Sequence, residues 1–140
     1  MLRDARFLDL HGRSRILSEW GDRILVVNFW ATWCRPCLDE IPMLAAARKF
    51  YASRGVEIVG IAIDLVAKVI EFAAKMSVEY PMLVADANGI DLMRRLGNHS
   101  GGLPYTVFLD RNRAPVRHKL GALRREELDA ALGELLMKYR

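Results

Sequence analysis

Seven consecutive residues, Ile24 to Trp30, form an apolar run in which Asn28 is the one polar side chain. The run is short and rich in β-branched residues, which is typical of a strand that is covered on both faces. A few residues later the composition becomes helical, from Pro36 to Ser53. A buried strand that leads into a helix is a building unit of α/β folds, so this pair predicts where the centre of the molecule lies.

The remaining elements follow from apolar spacing and turn residues. They are a hairpin over residues 7–17, strands at Val56–Ile63, Met82–Val84, Tyr105–Leu109 and Val116–Leu120, and helices at Val66–Met76, Asn88–Leu96 and Arg124–Lys138. In the helix over 66–76, Val66, Val69, Ile70 and Ala73 recur at the spacing of one helical face. This order predicts one α/β domain over residues 1–140, with helices on both faces of a mixed sheet. A chain of this length buries a core without staples, which leaves its cysteines free for chemistry.

The two cysteines of the sequence, Cys34 and Cys37, fall where the first strand gives way to the helix. A separation of three positions at a helix start brings both sulfurs to the same side, within disulfide reach. The unpaired N–H groups of the helix start and the cation of Arg35 favour a thiolate at Cys34. Cys34 is therefore predicted to attack a disulfide, and Cys37, one turn inside, to resolve the mixed disulfide. Pro36 suits the first helical turn and is expected to stiffen the loop between the sulfurs.

Other interpretations of the cysteine pair have less support. A structural zinc site needs four ligands, whereas His11, His99 and His118 lie far apart in the sequence, so no metal is predicted. A purely structural disulfide across so short a loop constrains the unfolded chain little. A peroxidase of the peroxiredoxin family uses a threonine three positions before its cysteine. Here that position is Ala31, and Thr32 lies two before the first cysteine, so the peroxidase stays an alternative.

The net charge of +4 is a mild excess of scattered basic residues. The denser stretch from Arg111 to Arg125 is broken by apolar residues, so we expect a solvated strand pair and helix start, and no nucleic-acid partner. No apolar run is long enough to span a membrane. Residues 1–4 do not resemble a signal peptide, which leaves open a cytoplasmic protein and the mature part of an exported one.

The segment from Val26 to Cys37, VVNFWATWCRPC, resembles the active-site segment of the thioredoxin superfamily, and within it the TlpA-like branch of bacterial thiol–disulfide interchange proteins. The resemblance continues through the hairpin at 10–13, the strand that ends in Asp64, the extra helix and strand through Val84, and Gly102-Leu103-Pro104. Thioredoxin itself lacks the insertion between Asp64 and the proline loop. The resemblance implies a thioredoxin-like fold: a central mixed sheet flanked by helices, an N-terminal hairpin and a central helix/strand insertion.

The same resemblance implies a substrate site around the cysteines. Pro104 is expected to be cis and to face the pair, and Leu103 to offer its backbone groups to an extended substrate strand. Trp33 is expected to lie partly exposed beside the sulfurs. The predicted substrate-binding residues are Trp33, Arg35, Pro36, Leu103 and Pro104.

Glu40 lies one helical turn after Cys37, and TlpA-like proteins often carry a glutamate there that is thought to help proton transfer at the inner cysteine. A carboxyl held under the sheet would have a raised pKa and exchange protons near neutral pH. The alternative is an exposed acid that complements the helix dipole, as Asp39 is expected to do. Asn28 stands where thioredoxin has a buried aspartate and cannot shuttle a proton, so Glu40 is the candidate acid.

The function implied is that of a monomeric protein-disulfide reductase without metal or organic cofactor, because the dithiol itself carries two electrons. Its partners would be cysteine-containing client proteins, such as apocytochromes awaiting haem, and an upstream dithiol donor. The TlpA-like branch implies the bacterial periplasm or another extracytoplasmic site, with a membrane tether outside these residues; the cytoplasm is the alternative. The second functional hypothesis is a module that binds extended peptides and has incidental redox activity, in which client binding would survive the loss of Cys34.

Overall fold

The computed structural model describes residues 4–85 and 88–139. Its strands are β1 (Arg6–Asp9), β2 (Ser14–Ile16), β3 (Ile24–Trp30), β4 (Val56–Ile63), β5 (Met82–Ala85), β6 (Tyr105–Leu109) and β7 (Pro115–Leu120). Its helices are α1 (Arg35–Tyr51), α2 (Val66–Met76), α3 (Asn88–Arg95) and α4 (Arg125–Lys138), with 3-10 turns at Leu17–Trp20 and Ala52–Arg54. Strands β3, β4 and β6 and helix α2 have the predicted bounds, and the other predicted elements differ by one or two residues at an end.

The strands pair in the order β2-β1-β5-β4-β3-β6-β7. Strand β3 lies inside the sheet, parallel to β4 and antiparallel to β6. Strand β5 continues the parallel part beside β4 and carries the antiparallel hairpin β1–β2 on its other side. Strand β7 pairs antiparallel with β6 at the opposite edge. The predicted mixed sheet and N-terminal hairpin are therefore confirmed.

Strand β3 is buried along its whole length because packed elements cover both faces of the sheet. Ile24 and Val26 lie in a cluster that contains the buried side chains of α1 and α4. Leu25 and Val27 lie in a second cluster, with Met93 of α3. Burial of each such side chain contributes roughly 1.5–3 kcal/mol, which is why this segment is apolar almost throughout. The predicted helices on both faces are confirmed.

Helix α1 is 17 residues long and runs through Pro42. The proline ring removes one N–H and leaves the carbonyl of Leu38 without its usual helical donor. The 3-10 turn that follows ends at Gly55, whose φ of 82° is the left-handed conformation that glycine adopts without a Cβ clash. Within the described residues, none of the helices combines the length and the apolar character that a membrane crossing requires.

Helix α2 has the predicted bounds but presents a different face. Val69 is fully buried, whereas Ile70, on the same apolar face by spacing, is 43% exposed. The ring of Phe72 lies 5.3 Å from that of Trp30, centroid to centroid. The helix is therefore turned so that Phe72 and not Ile70 covers the end of β3. The spacing of apolar residues within the helix does not predict this orientation.

The basic stretch after β6 is not solvated throughout, contrary to the prediction. Arg113 is only 3% exposed, and its backbone φ is 69°. Its guanidinium donates hydrogen bonds to the carbonyls of Leu17 (3.1 Å), Gly21 (2.7 Å), Arg23 (2.6 Å) and Asp110 (3.3 Å). The expectation failed at this residue because carbonyls from the distant 3-10 segment converge on the β6–β7 turn.

Replacing Arg113 by Ala is expected to lower the free energy of unfolding by about 3 kcal/mol, because buried carbonyls lose their donor. Arg113→Lys should recover only part of this, since an ammonium cannot reproduce the fork of guanidinium N–H groups. Urea unfolding measures both values. Arg117→Ala is the control: Arg117 is an exposed partner of Glu134, and its loss should change stability by less than about 0.5 kcal/mol. Equal losses in the Arg113 and Arg117 variants would contradict the prediction.

Candidate active site

Cys34 and Cys37 lie where β3 passes into α1. Cys34 is the N-cap residue of the helix, with extended backbone (φ −102°, ψ 105°), and Cys37 stands in the first turn. The two are joined in a disulfide with their Cα atoms 5.3 Å apart. Cys34 is 7% exposed and Cys37 has no exposed surface. The structure thus has an outer and an inner cysteine, as the spacing predicts.

The charged side chains of the first turn of α1 pair with each other. Arg35 is exposed, and its Nε lies 3.2 Å from Oδ1 of Asp39. The cation expected to favour a thiolate at Cys34 is therefore shared with a carboxylate, which weakens its effect. The N–H groups at the start of α1, where Pro36 occupies the first turn, supply the remaining positive potential.

Glu40 is only 4% exposed, so the interpretation as an exposed helix-start acid is wrong. Its Oε1 accepts a hydrogen bond from Nδ2 of Asn28 at 2.7 Å, and its Oε2 accepts one from the N–H of Leu123 at 2.6 Å. Burial raises the pKa of Glu40; the two hydrogen bonds lower it, and the net shift is upward. Glu40 is thus a carboxyl that can hold a proton at a higher pH than an ordinary glutamate.

Further polar groups lie in the core around Glu40. The Asn28 amide also donates to the hydroxyl of Thr106 at 3.2 Å. In the described part of the chain, the side-chain Oδ1 of Asn28 and the hydroxyl of Tyr80 are buried and have no hydrogen-bond partner. Burial raises the pKa of Tyr80, and the charge of Glu40 adds to the rise, so the two groups interact. Sequence reasoning missed Tyr80, because a tyrosine before a short strand carries no pattern that would indicate this neighbour.

A groove of about 460 Å³ opens beside Glu40. Pro36 and Met43 of α1 line one side, and Leu123 and Arg124, just before α4, line the other. Glu40 itself contributes to the lining of this groove, which opens to solvent.

The peptide bond between Leu103 and Pro104 is cis, as predicted. Leu103 is partly buried and packs against the apolar cluster that includes both cysteines. Within residues 4–85 and 88–139, its own N–H and C=O form no backbone hydrogen bond, whereas the carbonyl of Pro104 accepts one from the N–H of Gly121 at 2.9 Å.

Apolar side chains border the cysteine loop on its outer side. Trp33 is 71% exposed, beyond the partial exposure that was predicted, and Leu65 is exposed as well. Leu65 follows Asp64, whose carboxylate accepts a hydrogen bond from the N–H of Thr32 at 2.9 Å. Sequence reasoning missed this contact, although the end of a strand parallel to β3 is where such a residue is expected.

The structure gathers most of the predicted site at one junction. Residues Trp33 to Cys37 and Glu40 lie at the β3–α1 junction and in the first turns of α1, and Leu103 reaches the same apolar cluster. Across residues 4–85 and 88–139, no group of three or more His, Cys, Asp or Glu side chains is placed to hold a metal ion. The chemistry that this arrangement supports is the making and breaking of the disulfide between the cysteines.

Comparison with known proteins gives relatives for nearly the whole chain. Residues 2–128 match the AhpC/TSA family. Thiol-disulfide oxidoreductase ResA of Geobacillus kaustophilus (strain HTA426) is 28% identical over 132 residues, which cover 92% of this chain and 72% of that protein. A thiol:disulfide interchange protein of the thioredoxin family from Chlorobium tepidum TLS has a TM-score of 0.79 at 26% identity, covering 96% of this chain and 94% of its own. A secreted thiol-disulfide isomerase from Corynebacterium glutamicum shares the fold, with a TM-score of 0.84 at 22% identity, covering 98% of this chain and 86% of its own.

These relatives confirm the predicted thioredoxin-like fold and the kinship with thiol–disulfide interchange proteins. They also confirm the predicted class of activity, thiol–disulfide oxidoreduction, because the named activity needs the cysteine pair that this structure contains. With residues 2–128 of its 140 matched, this chain belongs to the AhpC/TSA family.

Proposed function

We propose that this protein reduces disulfides in client proteins by transferring two electrons from the Cys34–Cys37 dithiol. The observation that carries the proposal is the placement of the pair: Cys34, the N-cap residue of α1, keeps a small exposed surface, and Cys37 lies fully buried one turn inside. A sulfur at the helix start is stabilised as a thiolate by unpaired N–H groups, and a buried sulfur beside it is protected from solvent oxidants. Both conditions are needed for a dithiol that attacks a client disulfide and then forms its own internal disulfide.

In the first step the thiolate of Cys34 attacks one sulfur of the client disulfide. A bond forms between Cys34 and that sulfur, and the other client sulfur leaves as a thiolate. In the second step Cys37, having lost its proton, attacks the sulfur of Cys34. The second client sulfur then leaves as a thiolate, so the client has gained two electrons and the protein carries the Cys34–Cys37 disulfide.

Glu40 is the proposed proton acceptor for Cys37 in the second step. It is buried on the same helix, its pKa is raised by burial, and the groove beside it connects it with solvent. A base whose pKa lies closer to neutral takes and returns a proton more effectively than an ordinary surface carboxylate. Asn28 holds the carboxyl in place and does not itself titrate.

The surface around the cysteines is the proposed client site. The free backbone groups of Leu103, beside Pro104, suit an extended client segment that pairs edge to edge. Trp33 supplies an exposed apolar surface next to the attacking sulfur. Arg35 and Pro36 lie between the two cysteines in the sequence and complete the site on the helix side.

The partners of such a reductase are cysteine-containing clients and a dithiol donor that reduces the Cys34–Cys37 disulfide again. We propose that the protein acts as a monomer outside the cytoplasm. The secreted isomerase from Corynebacterium glutamicum, which shares the fold, supports an extracytoplasmic site. Nucleic acid has no part in the proposal, because the buried Arg113 and the paired Arg117 and Lys119 do not form a free basic surface.

The reduction potential of the Cys34–Cys37 pair tests the proposal. The protein is equilibrated in graded thiol–disulfide buffers, quenched with an alkylating reagent and analysed by mass. We expect one reversible two-electron transition at about −270 mV, the value of thioredoxin, because the reduction potential of a reductant must lie well below about −120 mV, the value of the oxidant DsbA. A transition near the higher value would make the protein an oxidant. If no reversible transition appears, the oxidoreductase function is wrong and the peptide-binding module is the better account.

A further inference from the structure

Asp64 ties the loop that carries Cys34 to the neighbouring strand. It follows β4 directly, and its Oδ2 accepts hydrogen bonds from the N–H of Thr32, at 2.9 Å, and from the hydroxyl of Thr32, at 2.5 Å. Its Oδ1 accepts one from the N–H of Leu65, at 2.7 Å. A single carboxylate thus joins two loops, and its bonds to Thr32 span 32 positions of the chain.

Thr32 lies in the short connection between β3 and α1. The N–H of Cys34 donates to the carbonyl of Ala31 at 3.2 Å, which closes a turn around Thr32. The bonds from the N–H and hydroxyl of Thr32 fix this turn against the end of β4. Because Cys34 ends the turn and caps α1, the position of its sulfur depends on where the turn is held.

The carboxylate of Asp64 remains ionised in the neutral range. Burial raises its pKa, but the hydrogen bonds from the side chain and N–H of Thr32 and from the N–H of Leu65, together with the charge of Lys68, hold the pKa of Asp64 below its usual value. Hydrogen bonds to a charged acceptor are roughly twice as strong as those between neutral groups. The contact between the loops therefore persists at the pH at which thiol exchange takes place.

We propose that Asp64 is a positioning residue for thiol–disulfide exchange, which acts through Thr32 to hold the sulfur of Cys34 in place for attack. The inference rests on the proposed function of the cysteine pair. Without the carboxylate, the turn loses its attachment to β4 and Cys34 samples positions away from the start of α1. A displacement of about 1 Å in a reacting group can cost up to about a hundredfold in rate, so a partly loosened turn should cost about tenfold.

The test compares Asp64→Ala, Asp64→Asn and Thr32→Val with the unmodified protein. The rate constant for oxidation of the reduced protein by oxidised glutathione is measured, together with the pH profile of Cys34 alkylation by iodoacetamide. Asp64→Ala is expected to be about tenfold slower. Asp64→Asn keeps an oxygen that can accept from Thr32 and should recover most of the rate, while Thr32→Val should fall between them. Adding Thr32→Val to Asp64→Ala should cause little further loss, because both remove the same contact.

The direction of the pH profile separates positioning from charge. If Cys34 moves away from the helix start in Asp64→Ala, its thiolate is less stabilised and the profile moves to higher pH. Loss of a negative charge alone would move the profile to lower pH, and that result would overturn the inference, as would an Asp64→Asn variant that reacts like Asp64→Ala. Asp91→Ala is the control, because Asp91 is an exposed acid on α3 that pairs with Arg94 and Arg95.

Urea unfolding of each variant in the reduced form shows the conditions under which it is fully folded, and the rates are measured there. A folded Asp64→Ala variant with an unchanged rate and profile overturns the inference while the proposed function stands. If the unmodified protein itself fails to react with the disulfide, the proposed function is wrong and this inference falls with it.

Discussion

Cys37→Ser is expected to accumulate a covalent mixed disulfide with a client protein, whereas Cys34→Ser is expected to form none and to lose reductase activity to the background rate. The reason is the difference in position: Cys34 is the N-cap residue of α1 and keeps a small exposed surface, whereas Cys37 is fully buried one turn further along. When Cys37 is absent, Cys34 still attacks, but no second thiol remains to release the client. When Cys34 is absent, the buried sulfur of Cys37 cannot reach a protein disulfide.

The measurement is turnover with insulin as the disulfide substrate, with mixed disulfides detected by mass after acid quenching. Cys34→Ser, with Cys37 intact, and Cys37→Ser serve as matched controls for each other, because both remove one thiol and prevent the internal disulfide. Trapping by Cys34→Ser and none by Cys37→Ser would reverse the proposed roles. Full turnover by either variant would show that the reaction does not pass through the pair.

Glu40→Gln is expected to slow release of the client from the mixed disulfide by about a hundredfold, the lower end of what a positioned acid or base contributes. Burial raises the pKa of Glu40 above its ordinary value of 4.5, so the unmodified protein should show a rate that rises as this carboxyl loses its proton. The variant should lack that step. Glutamine has the shape of glutamate, and its amide oxygen can still accept the hydrogen bond from the N–H of Leu123.

The same substitution has an expected effect on stability. Because the pKa of Glu40 is raised in the folded protein, the folded state keeps a proton that the unfolded chain has released. The contribution of Glu40 to stability is therefore greatest at low pH and falls as pH rises from about 4.5 through the folded-state pKa. Glu40→Gln should remove this decline from the urea-unfolding curves. Asp39→Asn is the control, since Asp39 is exposed and pairs with Arg35. If the free energy of unfolding depends on pH identically in the unmodified protein and in Glu40→Gln, the proton-transfer role is refuted.

The predictions that the structure confirmed depend on residues close together in the sequence. The bounds of β3, β4 and α2 follow from apolar runs, β-branched residues and turn residues that act within a few positions. The relation between Cys34 and Cys37 is similarly local, because three positions at a helix start determine which sulfur lies outside and which lies within. The identity of the chemistry was therefore readable from the active-site segment alone.

The burial of Glu40 could not be predicted from the neighbouring residues in the sequence. The sequence favours a buried proton carrier but leaves an exposed helix-start acid as the alternative, because both suit the first turns of a helix. Burial was decided by Asn28, 12 positions away on β3, and by the N–H of Leu123, 83 positions away before α4. Those donors exist at that place only after the sheet and α4 have packed against α1.

The surroundings of Arg113, Ile70 and Asp64 are likewise set by segments that are distant in the sequence. Arg113 is buried because carbonyls from more than 80 positions earlier surround it, and Ile70 is exposed because Phe72 meets Trp30 instead. Asp64 reaches Thr32 because β3 and β4 are parallel neighbours in the sheet. By itself, the sequence determined the elements, the redox pair and the family, since each depends on short-range order along the chain. The tertiary structure alone decided which polar side chains lie buried around that pair, because burial and hydrogen bonding are properties of surfaces that distant segments bring together.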